Sequence, residues 1–254
     1  MKNIFIIARN TVRLEIRGRI WLALLVFGLG YLGIMLFLSD LVLKELPMVK
    51  AFALLGIYFF NAIIALFLGT TSFYRDVERK TVYFILAKPV SRAQFLIGKF
   101  FGLCAVIFLT SALLAVAYLV VIALAGGGFD ALGLLAILMQ WLEMSLFVAF
   151  AMFVSTFSSS LLAIVYTSAV FFLGHVVSAL VDDARKMGIG GVRLLFVNIL
   201  YYLFPNLEKF NIRDVAVHAV ALPWASFGYA LVYAVTYIVL LLFAAIWIFE
   251  KKEI

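Results

Sequence analysis

Apolar positions in this chain come in long unbroken blocks, not in the stripes of period 3.6 or 2 that mark half-buried helices and strands. Five blocks, 21–39, 51–74, 100–129, 144–181 and 215–249, contain no Asp, Glu, Lys or Arg. Crossing a hydrocarbon core of ~30 Å takes ~20 helical residues, so each of the first three blocks predicts one span. The fourth merges backward past Glu143 into residues 131–142, and 131–181 is long enough for two spans with a turn between them. The polar run Ser155-Thr156-Phe157-Ser158-Ser159-Ser160 predicts that turn, leaving helices over 131–154 and 161–181. Pro223 suits a first helical turn and starts a sixth span over 224–249. The pattern predicts an all-α polytopic membrane protein of six spans, read as one domain over 1–254.

Two segments flank these spans. Residues 1–20 place Lys2, Arg9, Arg13 and Arg17 on one side of a helical wheel and Ile4, Ile7, Ala8 and Val12 opposite, which predicts a helix lying in the membrane interface. The stripe is broken by Ile6 and Ile20 on the basic side and by Glu15 on the apolar side. Between the fifth and sixth spans, residues 182–223 form a segment expected outside. Its apolar run 194–207, closed by Pro205, is too short to cross and predicts a re-entrant or interfacial helix.

Composition agrees: 67% of the 254 residues are hydrophobic and 13% charged, against ~45–50% and ~25% in soluble domains. With the N-terminus inside, the inner segments hold 13 of the 20 Lys and Arg and the outer loops 7, which predicts cytoplasmic termini. That asymmetry accounts for the +7 net charge without a nucleic-acid partner.

The charge-rich stretch 74–99 departs most from the rest of the chain. It holds six basic residues and the acids Asp76 and Glu78. Residues 74–87 read as a short cytoplasmic helix that Lys88-Pro89 ends, because the residue before proline disfavours the α region. Ser91 and Gln94 then have the spacing of a capping box, with Val90 and Phe95 at the staple positions. A capped helix is expected to run back into the membrane from there.

These residues carry a resemblance. Glu78-Arg79-Lys80-Thr81-Val82-Tyr83, Leu86-Ala87-Lys88-Pro89-Val90-Ser91-Arg92 and Phe95-Leu96-Ile97-Gly98-Lys99-Phe100-Phe101-Gly102 are similar to ABC-2 (type-2) ABC transporter permeases. So are Phe157-Ser158-Ser159-Ser160, Gly174-His175, Phe204-Pro205-Asn206-Leu207 and Phe210-Asn211. Lys80-Thr81 departs from the Gly-Thr of many members. The resemblance implies that 74–92 is a coupling helix docking on a separate cytoplasmic ABC ATPase, with Arg75, Asp76, Glu78, Arg79, Lys80, Thr81, Lys88, Pro89, Ser91 and Arg92 at that interface. It further implies a permease homodimer with two ATPase copies, export, and the inner membrane of a prokaryote.

Other chemistry finds little footing. A phosphate-binding loop needs Gly-x-x-x-x-Gly-Lys-Ser/Thr; Gly98-Lys99 is followed by Phe100, and position 93 is alanine. No cofactor is expected in this chain, and the resemblance implies that ATP and Mg are bound by the partner ATPase. The glycines at 126–128 read as a turn. His175 and His218 show no zinc spacing, and no metal or catalytic residue is expected. Cys104, Met139, Met144 and Met152 read as packing residues. Two rival readings are a force-transmitting or maturation scaffold, metal-site assembly included, and an ion-coupled secondary transporter.

Glu143 and His175 form the remaining candidate, an intramembrane polar pair. Glu143 lies 15 residues before Ser158 and His175 lies 17 after it. At ~1.5 Å per residue the two sit within ~5 Å of one depth, so they are expected to pair across the hairpin.

Overall fold

The computed structural model describes residues 2–41, 45–78, 90–186, 204–220 and 224–251, with Leu195, Ile199 and Tyr201 besides. Among these residues eight α-helices follow one another: α1 Lys2–Ile16, α2 Arg19–Leu41, α3 Leu46–Glu78, α4 Arg92–Leu124, α5 Ala131–Ser155, α6 Ser160–Lys186, α7 Arg213–Val217 and α8 Trp224–Lys251. A 3-10 turn, Leu207–Phe210, precedes α7. Six helices, α2 to α6 and α8, are long and apolar enough to cross a membrane. They are the six spans that the charge-free blocks predict.

Packing centres on α5, which touches α3, α4, α6 and α8 and is the most buried of the six. The outer helices α2, α6 and α8 turn Phe27, Phe37, Phe172 and Phe243 outward. In lipid an outward apolar face costs nothing, so close packing and interhelical hydrogen bonds hold such bundles. Trp21 Nε1 donates to Thr110 Oγ1 at 2.8 Å and Asn61 Nδ2 to Ser111 Oγ at 3.0 Å. Gln140 Nε2 donates to the Leu54 carbonyl at 3.3 Å and Ser155 Oγ to that of Thr70 at 3.3 Å. Each such bond contributes about 0.6 kcal/mol.

Turns fall where polar and glycine residues interrupt the blocks. α5 ends at Ser155 and α6 begins at Ser160, the interval predicted from the serine run, and the chain turns at 125–130 between α4 and α5. Asp130 caps α5, accepting from the Gly133 N–H at 3.1 Å. It also accepts from Tyr118 Oη at 2.6 Å and pairs with Lys50 Nζ at 2.9 Å. Burial alone would raise the Asp130 carboxyl, but the hydrogen bonds from Tyr118, Lys50 and Gly133 hold its pKa below the ordinary value.

One expectation needs correction. Residues 74–78 do not open a new cytoplasmic helix. They continue α3, which is unbroken for 33 residues, because no Gly or Pro interrupts its hydrogen-bond ladder after Gly69. At ~1.5 Å per residue α3 is ~50 Å long, so it stands well beyond a ~30 Å core. Residues 79–89, with Arg79, Lys80, Thr81, Lys88 and Pro89, lie outside the described residues, as does half of the run 194–207.

Helix α1 lies along the start of α4. Gly98 and Gly102, one turn apart on α4, make the contact: a Cβ at Gly98 would stand 2.9 Å from the Ile4 carbonyl oxygen, and one at Gly102 2.6 Å from Thr11 Cβ. Small residues four apart are what close helix approach in membranes requires. Gly102→Ala is therefore expected to lift α1 from α4 and cost about 1–3 kcal/mol, read as a lower Tm in detergent. Gly30→Ala is the control: its Cβ meets nothing within 4 Å, and it should be neutral or slightly stabilising. Equal melting of the two variants would refute the close-approach role.

Candidate functional site

Two groups of side chains stand out, one at each level of the bundle. The first lies at the basic face, the end carrying α1, the close of α3, the start of α4 and the close of α8. Glu15 of α1 is buried, and its carboxylate accepts from Ser72 Oγ at 2.6 Å and pairs with Arg75 of α3. One residue on, Asp76 pairs with Lys99 of α4, which is also buried. These four charges sum to zero, which offsets the burial of Glu15 and Lys99 beside the partly exposed Arg75 and Asp76. Phe73, Phe95 and Phe249 pack on one another beneath it, with centroids 5.4–6.4 Å apart.

The two ends of segment 79–89 are thus anchored. At its close, Ser91 caps α4: Ser91 Oγ accepts from the Gln94 N–H, and the Gln94 side chain takes the Ser91 N–H. Asn3 Nδ2 of α1 also donates to Gln94 Oε1 at 3.2 Å. Arg92 Nη1 donates to the carbonyls of Phe249 at 2.6 Å and Glu250 at 3.2 Å, satisfying open acceptors at the end of α8. Of the residues expected at a partner interface, Arg75 and Asp76 are engaged within the bundle, Ser91 and Arg92 fix the corner, and Glu78 is exposed at the end of α3.

The second group lies between α3, α5, α6 and the segment before α7, with Glu143 buried and Tyr58 and His175 partly buried. His175 Nε2 lies 3.1 Å from Glu143 Oε1, the pairing expected from equal depth along the hairpin. Tyr58 of α3 completes it, with its hydroxyl 2.7 Å from Glu143 Oε1 and 2.6 Å from His175 Nε2. The carbonyl of Phe171 lies 2.9 Å from His175 Nδ1 and so fixes a proton on that nitrogen. Three heteroatoms, Tyr58 Oη, Glu143 Oε1 and His175 Nε2, then lie within hydrogen-bonding distance of one another. Three mutual contacts need two protons, since a phenol proton alone would leave a carboxylate oxygen facing an imidazole lone pair. The trio is neutral with two protons, as its depth demands.

The segment leading to α7 reaches this trio from above. Leu207 and Phe210 are buried with Met139 and Leu146 of α5 and Ala230 and Ala234 of α8, which lie ~10–20 Å along those helices from their starts. Gly174 admits the segment, since a Cβ there would stand 2.7 Å from the Pro205 carbonyl oxygen. Tyr233 Oη accepts from the Asn206 N–H at 2.8 Å. Arg213, held by Asn211 Oδ1 at 3.0 Å from its Nε, lies 5.0 Å over the Tyr58 ring. The residues Gly174-His175, 204–207 and 210–211, scattered in sequence, meet here.

Sequence reasoning passed over Glu15, Ser72, Tyr58 and Arg213. Glu15 had a signal, since it broke the apolar stripe of α1. Lys99 had one too, as a lone cation inside an apolar run. Tyr58 had none, because tyrosine is ordinary in a span. No group of His, Cys, Asp and Glu that could hold a metal occurs among the described residues.

The family model of ABC-2 family transporter proteins matches residues 6–254, nearly the whole chain. The comparison with curated proteins gives no match.

Proposed function

The chain belongs to the ABC-2 transporter family, and from that premise we propose that residues 74–92 receive mechanical work from a separate cytoplasmic ATPase. Membership makes the chain a permease, a multi-pass membrane subunit of an ABC transporter working with an ATP-binding subunit. That membership sets aside the reading as an ion-coupled transporter.

The observation that carries the proposal is the double anchoring of segment 79–89. Glu15, Ser72, Arg75, Asp76 and Lys99 tie its beginning to α1, α3 and α4. The Ser91 cap and the Arg92 bonds tie its close to α4 and α8. A load on the segment passes to four helices at once, whereas a slack loop would absorb it. The basic face would then be cytoplasmic, in keeping with its Lys and Arg excess.

The rest of the reading follows from the family. One chain supplies six spans, half of a two-sided path, so the working unit is a homodimer with two ATPases in a prokaryotic inner membrane. ATP and Mg are held by those partners, and the direction is export. In that scheme the segment before α7, wedged onto Tyr58, Glu143 and His175, closes the outer end of each half.

Reversing charge tests the docking role. Glu78→Lys and Arg79→Glu are expected to leave insertion and dimer formation intact. They should lower transport-coupled ATP hydrolysis about tenfold, the factor that ~1.4 kcal/mol of lost docking gives. Unchanged hydrolysis, transport and co-purification of the ATPase in both variants would rule the docking role out.

A further inference from the structure

On the lipid side of the bundle, α4 and α8 diverge and leave a groove of about 530 Å³. Ile97 and Phe101 of α4 and Val239 and Phe243 of α8 form its walls, and Trp141 of α5 its floor. The polar atoms of that floor are turned away from the groove's use. Trp141 Nε1 donates to the Cys104 carbonyl at 3.0 Å, and Ser145 Oγ to that of Trp141 at 2.9 Å. An occupant therefore needs no hydrogen-bonding groups of its own.

The dimensions and the charge at one end define that occupant further. The α8 residues lining the groove run from Val235 to Ile246, ~16 Å of helix, about the depth of one leaflet of a ~30 Å core. Toward the basic face, beyond the lining residues Ile97 of α4 and Ile246 of α8, Phe95 stacks on Phe249 at 6.3 Å. There, among the described residues, stand the cations Arg92 and Lys251 and the acid Glu250; Arg92 holds the last α8 carbonyls, and Lys251 lies 3.7 Å over the Trp247 ring. A second helix fits poorly, because helix seams in lipid favour small residues, and the rims here are Phe101, 55% exposed, and Phe243, 70% exposed.

We propose that this groove binds one acyl chain of an anionic phospholipid from the leaflet at the basic face, with the phosphate beside Arg92 and Lys251. The chain completes the packing between α4 and α8 that side chains leave open. Bulk lipid tails are as apolar as the groove, so selectivity comes from the headgroup, about fivefold for each basic residue near the surface.

The test uses the full chain in nanodiscs and two probes with a photoactivatable acyl chain, a phosphatidylglycerol and a phosphatidylcholine. Adducts are expected on peptides containing 97–104, 141–145 and 235–246, with the phosphatidylglycerol at least about fivefold stronger. Val239→Trp fills the groove and should abolish these adducts, together with any rise in Tm that phosphatidylglycerol confers. Val232→Trp, on the same helix outside the groove, should change neither. Both positions are more than half exposed, so neither variant disturbs the core. Equal labelling by the two probes, or adducts that persist in Val239→Trp, would overturn the proposal. So would a disulfide between copies carrying Val239→Cys, which would make the groove a seam between protomers.

Discussion

Replacing Lys99 by methionine is expected to destabilise the protein by about 3 kcal/mol, read by SDS titration in mixed micelles. The methylene stem is kept, so the loss is that of the charge. Without Lys99, Asp76 and the buried Glu15 share, among the described residues, the one cation Arg75, and the cluster is one positive charge short. Removing one partner of a buried pair costs about 3–5 kcal/mol, whereas removing both is often near neutral. Adding Asp76→Asn to Lys99→Met should therefore recover stability to within about 1 kcal/mol of the parent. The same cycle bears on coupling: the single variant should weaken the link between ATP hydrolysis and transport, and the double variant should retain part of it. A double variant no more stable than Lys99→Met would show that the pair does not act as one unit.

The second large effect is expected at Glu143. Glu143→Ala removes the acceptor that Tyr58 and His175 share and leaves a phenol, an imidazole and the nearby Arg213 at membrane depth. The expected cost is about 3 kcal/mol or more. Glu143→Gln keeps an acceptor oxygen at the position of Oε1 and should cost about 1 kcal/mol, the worth of one exchanged hydrogen bond. The loss should be local as well as global. Amide exchange at Phe210 to Arg213 should accelerate in Glu143→Ala and hardly at all in Glu143→Gln, because that segment rests on the trio through Arg213 and Tyr58. Equal exchange in the two variants would mean that the trio does not hold the segment.

These two clusters differ in how far the sequence disclosed them. Glu143 and His175 were readable because lipid makes ionisable residues rare, and two of them at one depth on a hairpin have few other partners. The capping box at Ser91 was readable because it is local, four consecutive residues closing on themselves. The end of α3 departs from the expected new helix at 74, because clustered charge does not itself break a helix. A helical ladder stops only where a backbone group fails, and nothing between Gly69 and Glu78 makes it fail. Glu15 broke the amphipathic stripe for a reason that only a third helix supplies: its partners, Ser72 and Arg75, are 57 and 60 residues away.

By itself the sequence determined that this chain folds in lipid, that it has six spans, that the serine run joins α5 to α6, and that a cap at Ser91 starts α4. Each of these follows from a local cost: unpaired backbone groups and charges are excluded from hydrocarbon, and caps and turns close within a few residues. Tertiary structure alone decided that Gly98 and Gly102 seat α1, that Tyr58 completes the Glu143–His175 pair, and that the segment before α7 dips onto it past Gly174. Those choices rest on which surfaces approach within a few ångströms. Apolar residues are nearly interchangeable to lipid, so a linear pattern of them carries no record of their neighbours.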